Sequence, residues 1–143
     1  MNTAAATASE QKTVGEVMTT DLSTLRLDDT LRLADDIFNL TRLRHFPVLD
    51  SDRLVGIINQ DDLLHASMAS LVRHRNNQIR EALGVVPVKD VMKPATTVTS
   101  DTSIYDAAKT MVENGIECLC VMDGEKLLGL VTRTDLLRQL AYR

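Results

Sequence analysis

What most limits the folds open to this 143-residue chain is that its second half restates its first. Val14, Val17 and Met18 meet their like 74 residues later at Val88, Val91 and Met92. One residue is then lost in the following loop, and an offset of 73 holds without a gap to the end. It pairs Thr24 with Thr97, Asp28 with Asp101, Ala34 with Ala107, Val48 with Val121, Gly56 with Gly129, and Asp62-Leu63-Leu64 with Asp135-Leu136-Leu137. Similar residues, such as Leu31 with Ile104 and Phe38 with Met111, fill the intervening places. A register that long means one small unit written twice.

Within the first copy the periodicity reads strand, helix, strand, strand, helix. A short strand is expected over 24–27, after which Asp28-Asp29-Thr30 can cap a helix with Leu31, Ala34, Ile37 and Phe38 on one face. Residues 46–49 read as a buried strand, Asp50-Ser51-Asp52 as its hairpin turn, 54–58 as the return strand and 62–68 as the closing helix. The expected boundaries are a mobile tail at 1–13, repeat one at 14–68, a linker at 69–87 and repeat two at 88–143. In the linker, Met68, Leu71, Val72, Ile79 and Leu83 suggest an amphipathic helix ending at Gly84, locally basic through Arg73, His74, Arg75 and Arg80.

Composition narrows the function. Aromatic residues are 3% of the chain and Trp is absent, which disfavours a base-stacking platform for single-stranded nucleic acid. A net charge of −4 offers no long-range attraction to DNA, RNA or an anionic membrane. No apolar run is long enough to span a bilayer and residues 1–13 lack a signal-peptide core, so a cytoplasmic location is expected. Cys118 and Cys120 alternate in an apolar run and read as buried reduced thiols, with no metal expected. Nothing resembles a nucleophile-base set or a Walker-type phosphate loop, so the chain is not read as an enzyme.

The chemistry concentrates at two strand-to-helix junctions, Gly56-Ile57-Ile58-Asn59-Gln60-Asp61-Asp62 and Gly129-Leu130-Val131-Thr132-Arg133-Thr134-Asp135. The glycine permits close approach of backbone or ligand, and a capping residue with an Asp three positions on starts the helix. Such a pair is a capping box, which would turn the carboxylate back onto the helix's own amides.

The paired Val-x-x-Val-Met entries, the order of elements and the Gly-x-x-(Thr/Asn)-x-x-Asp closures resemble a tandem pair of CBS (cystathionine beta-synthase) domains, a Bateman module, over about 14–141. The resemblance implies an α/β (α+β) fold of two pseudo-twofold βαββα repeats packed sheet to sheet. It also implies a stand-alone regulatory module that binds AMP, ADP, ATP or S-adenosylmethionine in clefts between the repeats and acts on a partner protein. Pairing through helices into a homodimer is implied too, and a ligand-free dimeric scaffold with vestigial clefts is the alternative.

A nucleotide needs acceptors for its ribose hydroxyls, an apolar slot for its base and donors for its phosphate. A carboxylate at a helix entrance supplies the first, and the free amides of the helix's first turn supply the last. On this reading Asp135 takes the ribose, Thr132 assists and Arg133 serves the phosphate, while Asp62 and Asn59 occupy the matching places in the first copy. The resemblance adds Arg44 and His45 as phosphate contacts, and Ile116 and Cys118 from the matching segment of the second copy. It also adds Leu22 and Ser23 beside Asp135, and Thr96 beside Asp62. Glu117, where a cation would help, and Cys120, where the first copy has Pro47, argue against a tightly held triphosphate, and Asp61 adds a second negative charge near a would-be phosphate in the first copy.

Overall fold

The computed structural model describes residues 12–73 and 79–142, the side chains of 70–80 excepted. The chain forms two compact units, Ser23–Ala95 and Met1–Leu22 with Thr96–Arg143.

In the central unit, β1 (Leu25–Arg26) runs parallel to β2 (His45–Asp50), which pairs antiparallel with β3 (Arg53–Asn59). Helix α2 (Leu31–Leu40) starts where the Thr30 hydroxyl accepts the Leu33 amide, and buries Leu31, Ala34 and Phe38. These pack on Phe46, Val48 and Ile58 of the sheet, and α3 (Gln60–Arg73) closes the core with Leu63. Fully burying a side chain of this size stabilises by roughly 1.5–3 kcal/mol.

The other unit repeats the plan. β4 (Thr97–Thr99), β5 (Cys118–Asp123) and β6 (Lys126–Thr132) form the second three-stranded sheet in the same order and senses. Helix α5 (Ile104–Asn114) is capped by Ser103 and ends at Gly115, whose φ of 63° is the left-handed conformation that favours glycine. Helix α6 (Arg133–Ala141) follows β6. Ala107, Met111, Leu119, Val121 and Val131 form the core.

The entry segments exchange places relative to the sequence period. Val14, on the one-turn helix α1 (Val14–Val17), is fully buried in the core of the unit that holds residues 96–143. Its amide donates to the Thr102 carbonyl at 2.8 Å, and Thr19 exchanges two backbone hydrogen bonds with Leu130. In the central unit, Val88, on a 3-10 turn at Val88–Asp90, donates to Asp29 at 2.7 Å, and Lys93 exchanges two with Ile57. Each copy is therefore completed by the entry segment that precedes the other copy in sequence.

That crossing explains the two glycines. A Cβ on Gly129 would lie 2.7 Å from the Thr19 carbonyl oxygen and 2.8 Å from the Met18 sulfur. On Gly56 it would lie 2.7 Å from the Met92 sulfur and 2.9 Å from the Lys93 carbonyl oxygen. What approaches these glycines is backbone and methionine of the entry segment.

Two boundaries differ from expectation. The closing helix continues past Met68 to Arg73, because no glycine or proline interrupts it, and so takes in the front of the expected linker helix. Helix α4 (Ile79–Leu83) follows, and 74–78, with His74 and Arg75, lies outside the described residues. The side chains of Arg73 and Arg80 do too. Residues 1–11 of the expected tail are likewise outside, but Lys12 and Thr13 are ordered: the Lys12 carbonyl accepts the Ile104 amide and Thr13 bridges to Ser103. Among the described residues no helix is long and apolar enough to cross a membrane.

Candidate functional site: a carboxylate at each helix entrance

Both strand-to-helix junctions close in the same way. The Gln60 amide donates to the Arg44 carbonyl at 3.2 Å, and the Arg133 amide to the Glu117 carbonyl at 2.9 Å, so each helix entrance is pinned to the start of the middle strand. At α6 the Thr132 hydroxyl accepts the Asp135 amide at 3.2 Å, while Asp135 Oδ2 accepts the Thr132 amide at 2.9 Å. At α3 the Asn59 side chain accepts the Asp62 amide at 2.8 Å and Asp62 Oδ2 accepts the Asn59 amide at 2.9 Å. Asn59 thus fills the capping role that Thr132 fills, as expected of two good N-cap residues.

The capping box uses one carboxylate oxygen in each copy, and the second oxygen is where the copies part. Asp135 Oδ1 has no partner among the described residues. No fully enclosed side-chain oxygen or nitrogen among them lacks a partner, so solvent reaches this atom although Asp135 as a whole is only 8% exposed. Asp62 Oδ1, by contrast, receives the Lys93 ammonium at 2.8 Å, with its side chain 4% exposed. Lys93 holds its proton more tightly than an ordinary lysine, first because it donates that hydrogen bond and then through the negative charge of Asp62, with Asp61 adding to it. Neither composition nor motif spacing marks Lys93 as the partner of Asp62. The signal is nonetheless present: Lys93 stands at the offset of 74 from Thr19, and the two residues make equivalent bridges.

The structure brings together part of the expected set within each unit. Cys118 lies opposite Thr132 in the β5–β6 register, and His45 opposite Asn59 in the β2–β3 register. Burial raises the Cys118 thiol far above the usual range, and Cys120 and Asp135 push the same way. The Cys120 thiol is pushed up to about 12 by burial. Both cysteines therefore stay protonated and act as small apolar groups at neutral pH. Among the described residues no cluster of three potential ligands could hold a metal ion.

Other expected contacts are engaged locally. Arg133 Nη2 pairs with Glu117 at 3.1 Å, so it is not the free cation anticipated for a phosphate; the backbone bond between these residues sets their side chains together. Arg44 is exposed and donates to the neighbouring Leu43 carbonyl. Leu22 and Ser23 are half-buried outside any strand or helix, and the Thr96 carbonyl accepts the Cys120 amide. Ile116 lines a hollow of about 1010 Å³ between α5 and α6, with Arg133, Leu136 and Leu140.

The CBS domain family model matches residues 14–69 and 88–142. The chain belongs to the CBS domain family. A CBS domain-containing protein of Dictyostelium discoideum is 35% identical over 127 residues, covering 87% of this chain and 88% of that one. Among solved structures, CBSX2 in complex with AMP is 29% identical with a TM-score of 0.73, covering 91% of this chain and 96% of that chain. The CBS domain of a CBS domain-containing membrane protein from Sphaerobacter thermophilus is 27% identical with a TM-score of 0.74, covering 90% and 87%. The chain is thus a tandem CBS module, and its fold is that of nucleotide-binding regulatory modules.

Proposed function

We propose that this CBS pair is a regulatory module that binds an adenosine nucleotide, with Asp135 accepting the ribose hydroxyls. The observation that carries the reading is the solvent-accessible Oδ1 of Asp135. A carboxylate anchored by one oxygen and open at the other is a pre-positioned acceptor beside a helix start. Thr132 holds the carboxylate in place, and the protonated Cys118 offers apolar surface next to it. Arg133, two residues from Asp135, is already paired with the Glu117 carboxylate. That favours AMP, the ligand of the CBSX2 complex, or S-adenosylmethionine over ATP. On the family resemblance Leu22 and Ser23 accompany Asp135, Thr96 accompanies Asp62, and Arg44 and His45 are the phosphate contacts. No residue is assigned a catalytic role, and the ligand acts by favouring one arrangement of the module over another.

Calorimetric titration with AMP, ADP, ATP and S-adenosylmethionine tests this reading. AMP binding that weakens at least tenfold in Asp135→Asn is expected, since Asn keeps the capping acceptor but loses the charge. The absence of any binding or thermal shift at millimolar ligand would overturn it.

A second reading, the dimeric scaffold, is favoured by one observation. The hollow between α5 and α6 is flanked by exposed Tyr105, Val112, Leu137 and Leu140. A homodimer through this face is disrupted by Leu137→Glu, and sedimentation velocity reads the outcome. A chain that is monomeric before the substitution refutes this reading.

A further inference from the structure

We infer that Lys93 is a built-in counter-ion that occupies the Asp62 carboxylate, leaving Asp135 as the open acceptor of the pair. This rests on the nucleotide reading above and assigns it unequally to the two copies. Three observations carry it. Asp62 has both oxygens engaged, Oδ2 by the Asn59 amide and Oδ1 by the Lys93 ammonium at 2.8 Å. Asp135 has one engaged. The residue structurally equivalent to Lys93 is Thr19: the Lys93–Ile57 and Thr19–Leu130 bridges lie at the same place in the two units. Thr19 carries no charge and makes no side-chain bond to Asp135.

A ribose diol binds a carboxylate by donating its protons to the outward lone pairs. At Asp62 it competes with an ammonium that is already in place, 63% exposed on its own side but bonded to an oxygen that is almost fully buried. Displacing the ammonium leaves a buried carboxylate without its charge partner, which an uncharged hydroxyl compensates only in part. Lys93 therefore weakens the Asp62 copy as an adenosine site, and the module fills at Asp135 first.

Reciprocal substitution in the full chain, with AMP as the probe, tests this. Lys93→Met is expected to add a second binding equivalent, or to tighten a weak second one about fivefold, the scale of a part-exposed ion pair. Thr19→Lys is expected to weaken the first equivalent by a similar factor by placing an ammonium against Asp135. A Lys93→Met protein that titrates like wild type, or binds AMP more weakly, overturns the inference; the latter would make Lys93 a phosphate contact. If no variant binds AMP, the nucleotide reading fails, and the counter-ion role is then judged without ligand. The Lys93 Cε resonance should titrate above the ordinary lysine value, and fall back towards it in Asp62→Asn. A resonance unmoved by that substitution overturns the role.

Discussion

The two CBS repeats agree in backbone and differ in side chains, and the pattern of agreement is instructive. The entry-segment hydrogen bonds, the glycine crossings, the pinned helix entrances and the strand registers all occur twice. The aromatic stack does not: Phe38 and Phe46 lie with ring centroids 4.4 Å apart in the central unit, where Met111 and Leu119 occupy the matching places in the other. Nor does the counter-ion at the carboxylate. Backbone contacts constrain both copies alike because they need no particular side chain, whereas each core and each carboxylate is free to take its own partners.

Four measurements would break or sharpen that contrast. Phe46→Ala should cost about 3–5 kcal/mol in urea unfolding, and Leu119→Ala less, because it removes a smaller side chain and no ring stack. Equal losses would mean that the stack contributes nothing specific. Gly129→Ala and Gly56→Ala should each cost about 1–3 kcal/mol by overpacking. Gly129→Ala should be the worse, since the nearest obstacle there is the fixed Thr19 carbonyl rather than a flexible methionine sulfur.

Thr132→Ala and Asn59→Ala each remove an N-cap and should cost about 1 kcal/mol, nearly equally; a large inequality would show that the two helix entrances are not equivalent. The smallest effect concerns pH. Because Lys93 titrates above its ordinary 10.5, the stability its ion pair contributes is complete below that value and fades as pH rises beyond it. The difference in Tm between wild type and Lys93→Met should therefore be present at pH 8 and vanish at strongly alkaline pH. As Lys93 is mostly exposed, it should correspond to under about 1 kcal/mol.

Much of this architecture is legible in the sequence, because the repeat fixes element order and hydrophobic periodicity fixes the buried faces. Leu31, Ala34 and Phe38 lie on the expected side of α2, and the capping pairs at 59–62 and 132–135 form as their residue types dictate. The exchanged entry segments are not legible. A period states that Val14 precedes one copy, but cannot say which sheet its backbone will cross, since the hydrogen bonds involved carry no side-chain signature. Gly56 and Gly129 mark the crossing without naming what crosses. Of the site, the carboxylates are visible from spacing, whereas Lys93 is hidden because it breaks the repeat, and repetition is the signal that draws attention to Asp62. Arg133 reads as a free cation until the β5–β6 hairpin brings Glu117 back beside it and a backbone bond joins the two.

The exchange also sets an order of events during synthesis. Ser23–Ala95 is one continuous stretch, so the central unit has all its parts once that stretch has left the ribosome. Val14 and Thr19 must wait for Thr102 and Leu130, a delay on the order of ten seconds at ordinary translation speeds. A segment made before the central unit is thus placed after it, once the second copy that it completes has been made.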